Sequence, residues 1–207
     1  MHPLHNKYMN ILDSSYYNQF STLNLAKDLL GKYITYETSL GKLRGMIVET
    51  EAYLSNDPAC HGYKGITKKN HSIFQEAGKA YVYLIYGIYY CFNVSSQEKG
   101  VGEAVLIRAV EPLIGINIMS YNRYGKKVGL TKKDIINLTN GPGKLSIAFS
   151  INKKDDGHKL WEKYLYLEDN PEYKPKDIIT SKRIGINIGK DLEYRFYLKN
   201  NKFVSKV

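Results

Sequence analysis

One charged residue interrupts an otherwise apolar, β-prone run, Ala104-Val-Leu-Ile-Arg-Ala-Val110. A buried, unpaired guanidinium is very costly, so the fold must bring an acceptor to Arg108. Glu51 is the natural partner, with Glu49 and Glu111 as rivals. Two of these carboxylates lie in the strand-like segment Ile47-Val-Glu-Thr-Glu-Ala-Tyr53. A two-residue period there puts Ile47, Glu49, Glu51 and Tyr53 on one face and Met46, Val48, Thr50 and Ala52 on the other. That face is either a solvated exterior or the floor of a cleft, where a carboxylate acts as base or electrostatic stabiliser. An Arg–Glu pair in a core can be purely structural. Facing a cleft, it keeps the carboxylate ionised and aimed at water. Both readings stand at this point.

The surrounding pattern places these segments in a mixed chain. Leu23, Ala26 and Leu30 give a short helix over Thr22–Leu30 that Gly31 stops. Lys32–Thr38 and Leu43–Tyr53 read as antiparallel strands about a turn at Ser39–Lys42. Tyr81–Val94 reads as a hairpin turning at Tyr86-Gly87. Pro112 is expected to open a helix with Leu113, Ile116 and Met119 on one face. Thr131 with Asp134 marks another helix start. Asn140-Gly-Pro-Gly-Lys144 is a tight loop leading into the apolar segment Leu145–Ile151. Short strands are expected at Arg183–Ile188 and Tyr194–Leu198. Strand pairs separated by helices, without regular βαβ alternation, make an α+β fold: one mixed domain over 1–207, with residues 1–19 peripheral.

The net charge of +10 and a pI near 9.3 call for a polyanionic partner. A membrane is set aside, because the greasiest stretch, Ala80–Val94, is too short to span and carries five tyrosines and Asn93. No signal-peptide pattern opens the chain, so a reducing cytosolic compartment with access to the chromosome is expected. Cys60 and Cys91 form no metal-ligand spacing, and the Cys60-His61 pair has no companion ligand nearby, so no metal and no cofactor are expected. Nineteen tyrosines suit surfaces that are apolar yet wet, including platforms for base stacking.

Tight turns favour small polar residues at the tip, whereas here Tyr86 takes that place. On a basic protein such a ring is a candidate wedge for opening a base step; the alternative is a tyrosine folded back on a neighbouring loop. Asn93, inside an apolar strand end, is a satisfied structural amide or a reader of a base edge. The Gly-Pro-Gly-Lys loop fails the phosphate-cradle pattern, since Leu138 stands where its first glycine belongs. Its amides and Lys144 still suit a DNA phosphate at a helix N-terminus.

Taken together, the blocks GMIVETEAY (45–53), DPACHGYKG (57–65), YVYLIYGIYYCFNVS (81–95), AVLIRAVEPL (104–113), NGPGKL (140–145) and RIGI (183–186) resemble the alkyladenine (3-methyladenine) DNA glycosylase family. The resemblance runs from about Leu25 to Phe203. It implies a compact fold with a curved antiparallel sheet ringed by helices and a protruding β-hairpin. It also implies a monofunctional, metal-free and monomeric enzyme that hydrolyses the N-glycosidic bond of damaged purines in double-stranded DNA. On that similarity Glu51 would activate water, assisted by Arg108 and the carbonyl of Ile184. Tyr53, His61 and Tyr83 would sandwich the flipped base, and Asn93 would crowd the exocyclic amino group of guanine. Tyr86 would enter the duplex, while the backbone at Gly185 and basic loops with Lys68, Lys69 and Lys144 would hold phosphates.

Two positions depart from the family pattern. Thr67-Lys-Lys-Asn70 replaces the usual Pro-Arg before the asparagine, and Ile88 replaces a common methionine beside the wedge. A non-catalytic nucleic-acid-binding module with a tyrosine stacking hairpin is the rival reading, though it gives Glu51 and Arg108 no task. A hydrolase of small nucleosides is weaker still, because it leaves the charge unexplained.

Overall fold

The computed structural model describes residues 10–125 and 128–205. Eight antiparallel strands form one sheet: β1 (Tyr33–Thr38), β2 (Gly41–Tyr53), β3 (Ala80–Ile85), β4 (Tyr89–Ser95), β5 (Ala104–Ile114), β6 (Leu165–Glu168), β7 (Ile178–Ser181) and β8 (Arg195–Leu198). Six run in the order β3-β4-β5-β2-β1-β6, while β8 pairs with β2 and carries β7. β2 is the hub. One of its edges pairs with β5 along nearly its whole length. The other pairs with β1 up to Met46 and with β8 from Glu49. The expected α+β class and curved antiparallel sheet are borne out.

The curl has a local cause. Ile47 pairs with Val110 and Glu49 with Ala109, which leaves Val48 without an opposite number. Thr50 then pairs with Ile107, so Arg108 in turn has no partner across the ladder. Each extra residue is a β-bulge, which bends its strand and re-aims its side chains. The strict alternation expected for β2 is therefore broken, and every residue from Ile47 to Ala52 is buried. A solvated outer face is excluded.

Five helices lie around the sheet among the described residues: α1 (Ser14–Tyr17), α2 (Thr22–Asp28), α3 (Ile116–Tyr124), α4 (Lys132–Ile136) and α5 (Pro142–Phe149). The capping box at Thr131 and Asp134 is present. Pro142 sits at the start of α5, where its missing N–H costs nothing. The core packs Leu25, Ile34, Val48, Phe92, Ile107 and Phe149, all fully buried, between helices and sheet.

Two expected elements are corrected. Pro112 opens no helix: β5 runs on to Ile114, with Pro112 opposite Gly45 at a register shift, an irregular spot that tolerates a missing donor. The helix starts after Gly115, whose φ of +81° and tight approach to the Lys42 carbonyl exclude a side chain. Arg183–Ile188 is loop rather than strand. Gly185 (φ +80°) turns it, the Ile184 amide donates to the Glu51 side chain instead of a ladder, and the Arg183 guanidinium ties the loop to Ala52 O, the Asp57 carboxylate and Gly189 O. Residues 10–19 are docked, since Ile11 bridges to Glu168 and Tyr17 is fully buried. Residues 1–9 of the expected peripheral segment lie outside the described ones. No helix among the described residues is long and apolar enough to cross a membrane.

Candidate active site

Register assembles the site. Tyr81 pairs with Asn93, Asn93 with Leu106, Leu106 with Glu51 and Glu51 with Arg195, so a single rung crosses β3, β4, β5, β2 and β8. Directly opposed residues share a face, and residues two further along a strand join them. Tyr83 and Tyr53 come to that face in this way.

Glu51 is fully buried, and among the described residues three donors reach its carboxylate. The Ile184 amide donates to Oε1 at 2.8 Å, and Arg108 Nη1 lies 3.2 Å from the same oxygen. The Tyr53 hydroxyl donates to Oε2 at 2.8 Å. A carboxylate offers about four acceptor positions, so room for one more donor remains on the Tyr53 side. The Ile184 carbonyl accepts from Arg108 Nη1 at 3.4 Å. Burial pulls the Arg108 pKa down, but Glu51 and Glu49 outweigh it and hold the guanidinium above its ordinary value.

Of the rivals for Arg108, Glu49 is a partner too, and Glu111 is not. Glu49 accepts from Arg108 Nε at 2.9 Å, Arg195 Nε at 2.7 Å, and the Ser205 hydroxyl and amide at 2.9 and 2.6 Å. Glu111 instead accepts from Asn201. Sequence reasoning missed Arg195 and Ser205. The signal that exposed Arg108 is present at Arg195 as well, a cation between Tyr194 and Phe196 in an apolar strand.

Tyr81 and Asn93 of the Glu51 rung line one recess with Tyr53, His61 and Tyr83. His61 reaches it from the loop after β2, fixed by close packing of Gly62 on the Gly102 backbone and by Asn70 Nδ2 donating to the His61 carbonyl at 2.8 Å. Its ring meets Tyr83 edge-on at 4.4 Å between centroids, and its Nδ1 hydrogen-bonds the Tyr81 hydroxyl at 2.7 Å. Partial burial holds its pKa below the usual histidine value. Burial likewise raises the hydroxyls of Tyr53, Tyr81 and Tyr83, which stay protonated. Asn93 donates its amide to the Tyr81 and Cys91 carbonyls at 3.0 and 3.4 Å, which pins the plane of its side chain.

The recess itself measures about 20 Å³. That admits a water molecule and not a purine, so the walls as they stand leave no room for a base. Next to it an open trough of about 780 Å³ is flanked by Lys64, Lys68, Lys69 and Lys153. Lys68 and Lys69 stand exposed on a turn pinned by Asn70, whose Oδ1 accepts from the Thr67 amide and hydroxyl.

At the hairpin tip, Tyr86 (φ +54°) and Gly87 (φ +71°) both take the left-handed conformation that a type I′ turn requires. Tyr86 is 77% exposed, so it is not folded back on a neighbour, and Ile88 beside it is 67% exposed. The amino end of α5 lies alongside: a Cβ on Gly143 would touch the Tyr89 ring. Lys144 is turned inward, donating to Asn137 and Asn140, and burial lowers its pKa. Its contacts thus close its own loop. Cys60 and Cys91 are free, buried thiols, pushed up to about 11 by burial. No cluster of three metal-ligating side chains occurs among the described residues.

The family model for methylpurine-DNA glycosylase matches residues 15–202. The chain belongs to the methylpurine-DNA glycosylase family. Relatives share about half of its residues over nearly their full length. One from Francisella tularensis subsp. tularensis is 46% identical over 191 residues, covering 91% of this chain and 95% of its own. Another from Carboxydothermus hydrogenoformans is 50% identical over 185 residues, covering 89% and 93%. A third from Clostridium novyi is 47% identical over 204 residues, covering 96% and 100%. Each bears the name "Putative 3-methyladenine DNA glycosylase". For a methylpurine-DNA glycosylase the substrate is damaged DNA, which accounts for both the net charge and the lysine-flanked trough.

Proposed function

We propose that the chain is a monofunctional DNA-3-methyladenine glycosylase, acting as a monomer on double-stranded DNA, with water as nucleophile and Glu51 as the base that activates it. The observation that carries this reading is the contrast between two glutamates two residues apart. Glu49 Oε1 already accepts three hydrogen bonds. Glu51 keeps an open acceptor position beside the Tyr53 hydroxyl and the aromatic recess.

The geometry supports the following sequence of steps. A purine stacked in a duplex cannot reach a recess walled by Tyr53, His61 and Tyr83, so the nucleotide is extruded, at a cost of a few kcal/mol. Tyr86 offsets part of that cost by filling the gap, and Lys64, Lys68, Lys69 and the backbone at Gly185 hold phosphates. Electron-rich tyrosine faces attract an alkylated, cationic base. Asn93, locked by the Tyr81 and Cys91 carbonyls, crowds the position where guanine carries its amino group.

An alkylated base is already a good leaving group, so one carboxylate suffices. As the C1′–N bond breaks, the base leaves with the bonding pair and the charged Glu51 carboxylate stabilises the oxocarbenium-like sugar; water then adds to C1′ and gives its proton to Glu51. Arg108 and the Ile184 amide hold its Oε1 in place, which leaves Oε2 to face the water. Hypoxanthine, uncharged in the nucleotide, would depart as an anion, so on this reading it is a substrate only where a proton reaches the departing base.

The test is Glu51→Gln with methylated duplex DNA. Lesion binding is expected to persist while release of free 3-methyladenine falls by about 10²–10⁴-fold, the usual contribution of a general base. Excision at the wild-type rate removes Glu51 from the role.

A further inference from the structure

Arg108 occupies a bulge, so no residue of β2 opposes it and the ladder does not fix its direction. Its guanidinium is planar, with Nε and Nη2 along one edge and Nη1 at the far corner. The Nε–Nη2 edge meets a closed arrangement. Nε donates to Glu49 Oε1 at 2.9 Å, Nη2 donates to the Ser205 hydroxyl at 3.3 Å, and that hydroxyl donates on to Glu49 Oε1 at 2.9 Å. The Ser205 amide holds Glu49 Oε2 at 2.6 Å and Arg195 Nε holds Oε1 at 2.7 Å, so Glu49 itself cannot turn. With that edge fixed, Nη1 falls 3.2 Å from Glu51 Oε1.

Ser205 is delivered to this place by a docked segment. Phe203 and Val204 are buried in the core, and their amides donate to Asn201 Oδ1 and to the Asn201 carbonyl. The Asn201 side-chain amide in turn donates to Glu111 on β5. The segment after β8 thus reaches across to the strand that bears Arg108.

We infer that Ser205 is a positioning residue for base excision: its hydroxyl, anchored on Glu49, sets the Arg108 guanidinium so that Nη1 faces the Glu51 carboxylate. The inference rests on the reading of Glu51 as base. Without Ser205 the Nε–Nη2 edge keeps only its bond to Glu49, with the longer 3.4 Å bond from Nη1 to the Ile184 carbonyl as the remaining backbone hold; one hydrogen bond fixes a point of an edge and two fix the edge. The groups facing Glu51 are Arg108 from β5, Tyr53 from its own strand, the Ile184 amide and Arg195 across the rung, with Glu49 beyond them.

The test compares Ser205→Ala, Ser205→Thr and Glu51→Gln in single-turnover excision of methylated duplex DNA, alongside lesion-duplex affinity and thermal stability. Ser205→Ala keeps the backbone amide, and so the docking on Glu49 Oε2, while losing the hydroxyl. Its maximal excision rate is expected to fall roughly tenfold, the effect of one hydrogen bond to a charged group. Affinity for lesion DNA stays unchanged, so the loss falls on the chemical step alone. Ser205→Thr, which keeps a hydroxyl, restores the rate.

A wild-type rate in Ser205→Ala overturns the inference, as does a loss of rate that only follows lost stability and that Ser205→Thr does not restore. An active Glu51→Gln instead brings down the assignment of the base, and the role of Ser205 with it. An inactive Glu51→Gln beside a fully active Ser205→Ala brings down the inference alone.

Discussion

Asp57→Ala tests how the Ile184 loop is held against Glu51. Asp57 and Arg183 form an ion pair in which neither side chain is exposed. The Arg183 guanidinium also donates to the Ala52 and Gly189 carbonyls at 3.0 and 3.1 Å and lies 4.6 Å from the Tyr53 ring centroid. Removing the carboxylate leaves a buried cation without its counter-charge, a loss of about 3–5 kcal/mol. The two carbonyls and the ring remain to solvate it, which puts the expected value at the lower end, about 3 kcal/mol. For a chain of this size that is a fall in Tm of about 6–12 °C. Urea unfolding should show a lower midpoint with an unchanged slope. The double variant Asp57→Ala with Arg183→Met removes both charges and should recover much of the loss. Excision should also slow in the single variant, since Arg183 precedes the amide that donates to Glu51. A single variant that loses under about 1 kcal/mol, or a double variant less stable than the single, refutes the account of the pair as mutual charge compensation.

The hairpin and the recess give two more tests. Tyr86→Asn places a residue suited to positive φ at the tip, so it should stabilise the chain by up to about 1 kcal/mol while weakening capture of the extruded nucleotide. Unchanged single-turnover kinetics on duplex substrate would count against the wedge. His61 has a folded pKa below its unfolded value of about 6.5, so the unfolded chain binds more protons in between and stability falls as pH drops through that window. His61→Gln should flatten the dependence of urea midpoint on pH there, and an identical slope in both proteins would refute the assignment.

Legibility followed the range of the interactions. The α2 helix, the β1–β2 pair and the hairpin were readable because their signals, a period, a stop glycine and a turn, are local. Arg108 was readable because a cation in an apolar run demands a partner wherever the chain goes. Choosing that partner was not, since Glu49 and Glu51 both meet it through bulges that alternation alone cannot foresee. Pro112 was misread because proline at a helix start and proline at a sheet irregularity look alike until Gly45 is placed opposite. The Arg183 loop passed for a strand because Arg-Ile-Gly-Ile is β-prone, and its three acceptors come from Ala52, Asp57 and Gly189. The recess residues were named from resemblance; the tightness of the recess is a matter of packing and leaves no trace in the residue order.

The division of labour between Glu49 and Glu51 is a consequence of where the bulges fall. Val48 shifts the β2–β5 pairing by one step and Arg108 shifts it back, so Glu49, opposite Ala109, is the glutamate inside the displaced stretch. There Glu49 meets Arg195 and Ser205, and its acceptor positions fill. Glu51 lies beyond the second bulge, on the rung with Leu106 and Asn93, where among the described residues the Tyr53 hydroxyl donates to its Oε2. Deleting one bulge would leave the other uncompensated, and the pairing beyond it would slip by one residue. Glu51 would then leave the rung that sets it beside the Tyr53 hydroxyl, and the base of the proposed mechanism would be lost with it.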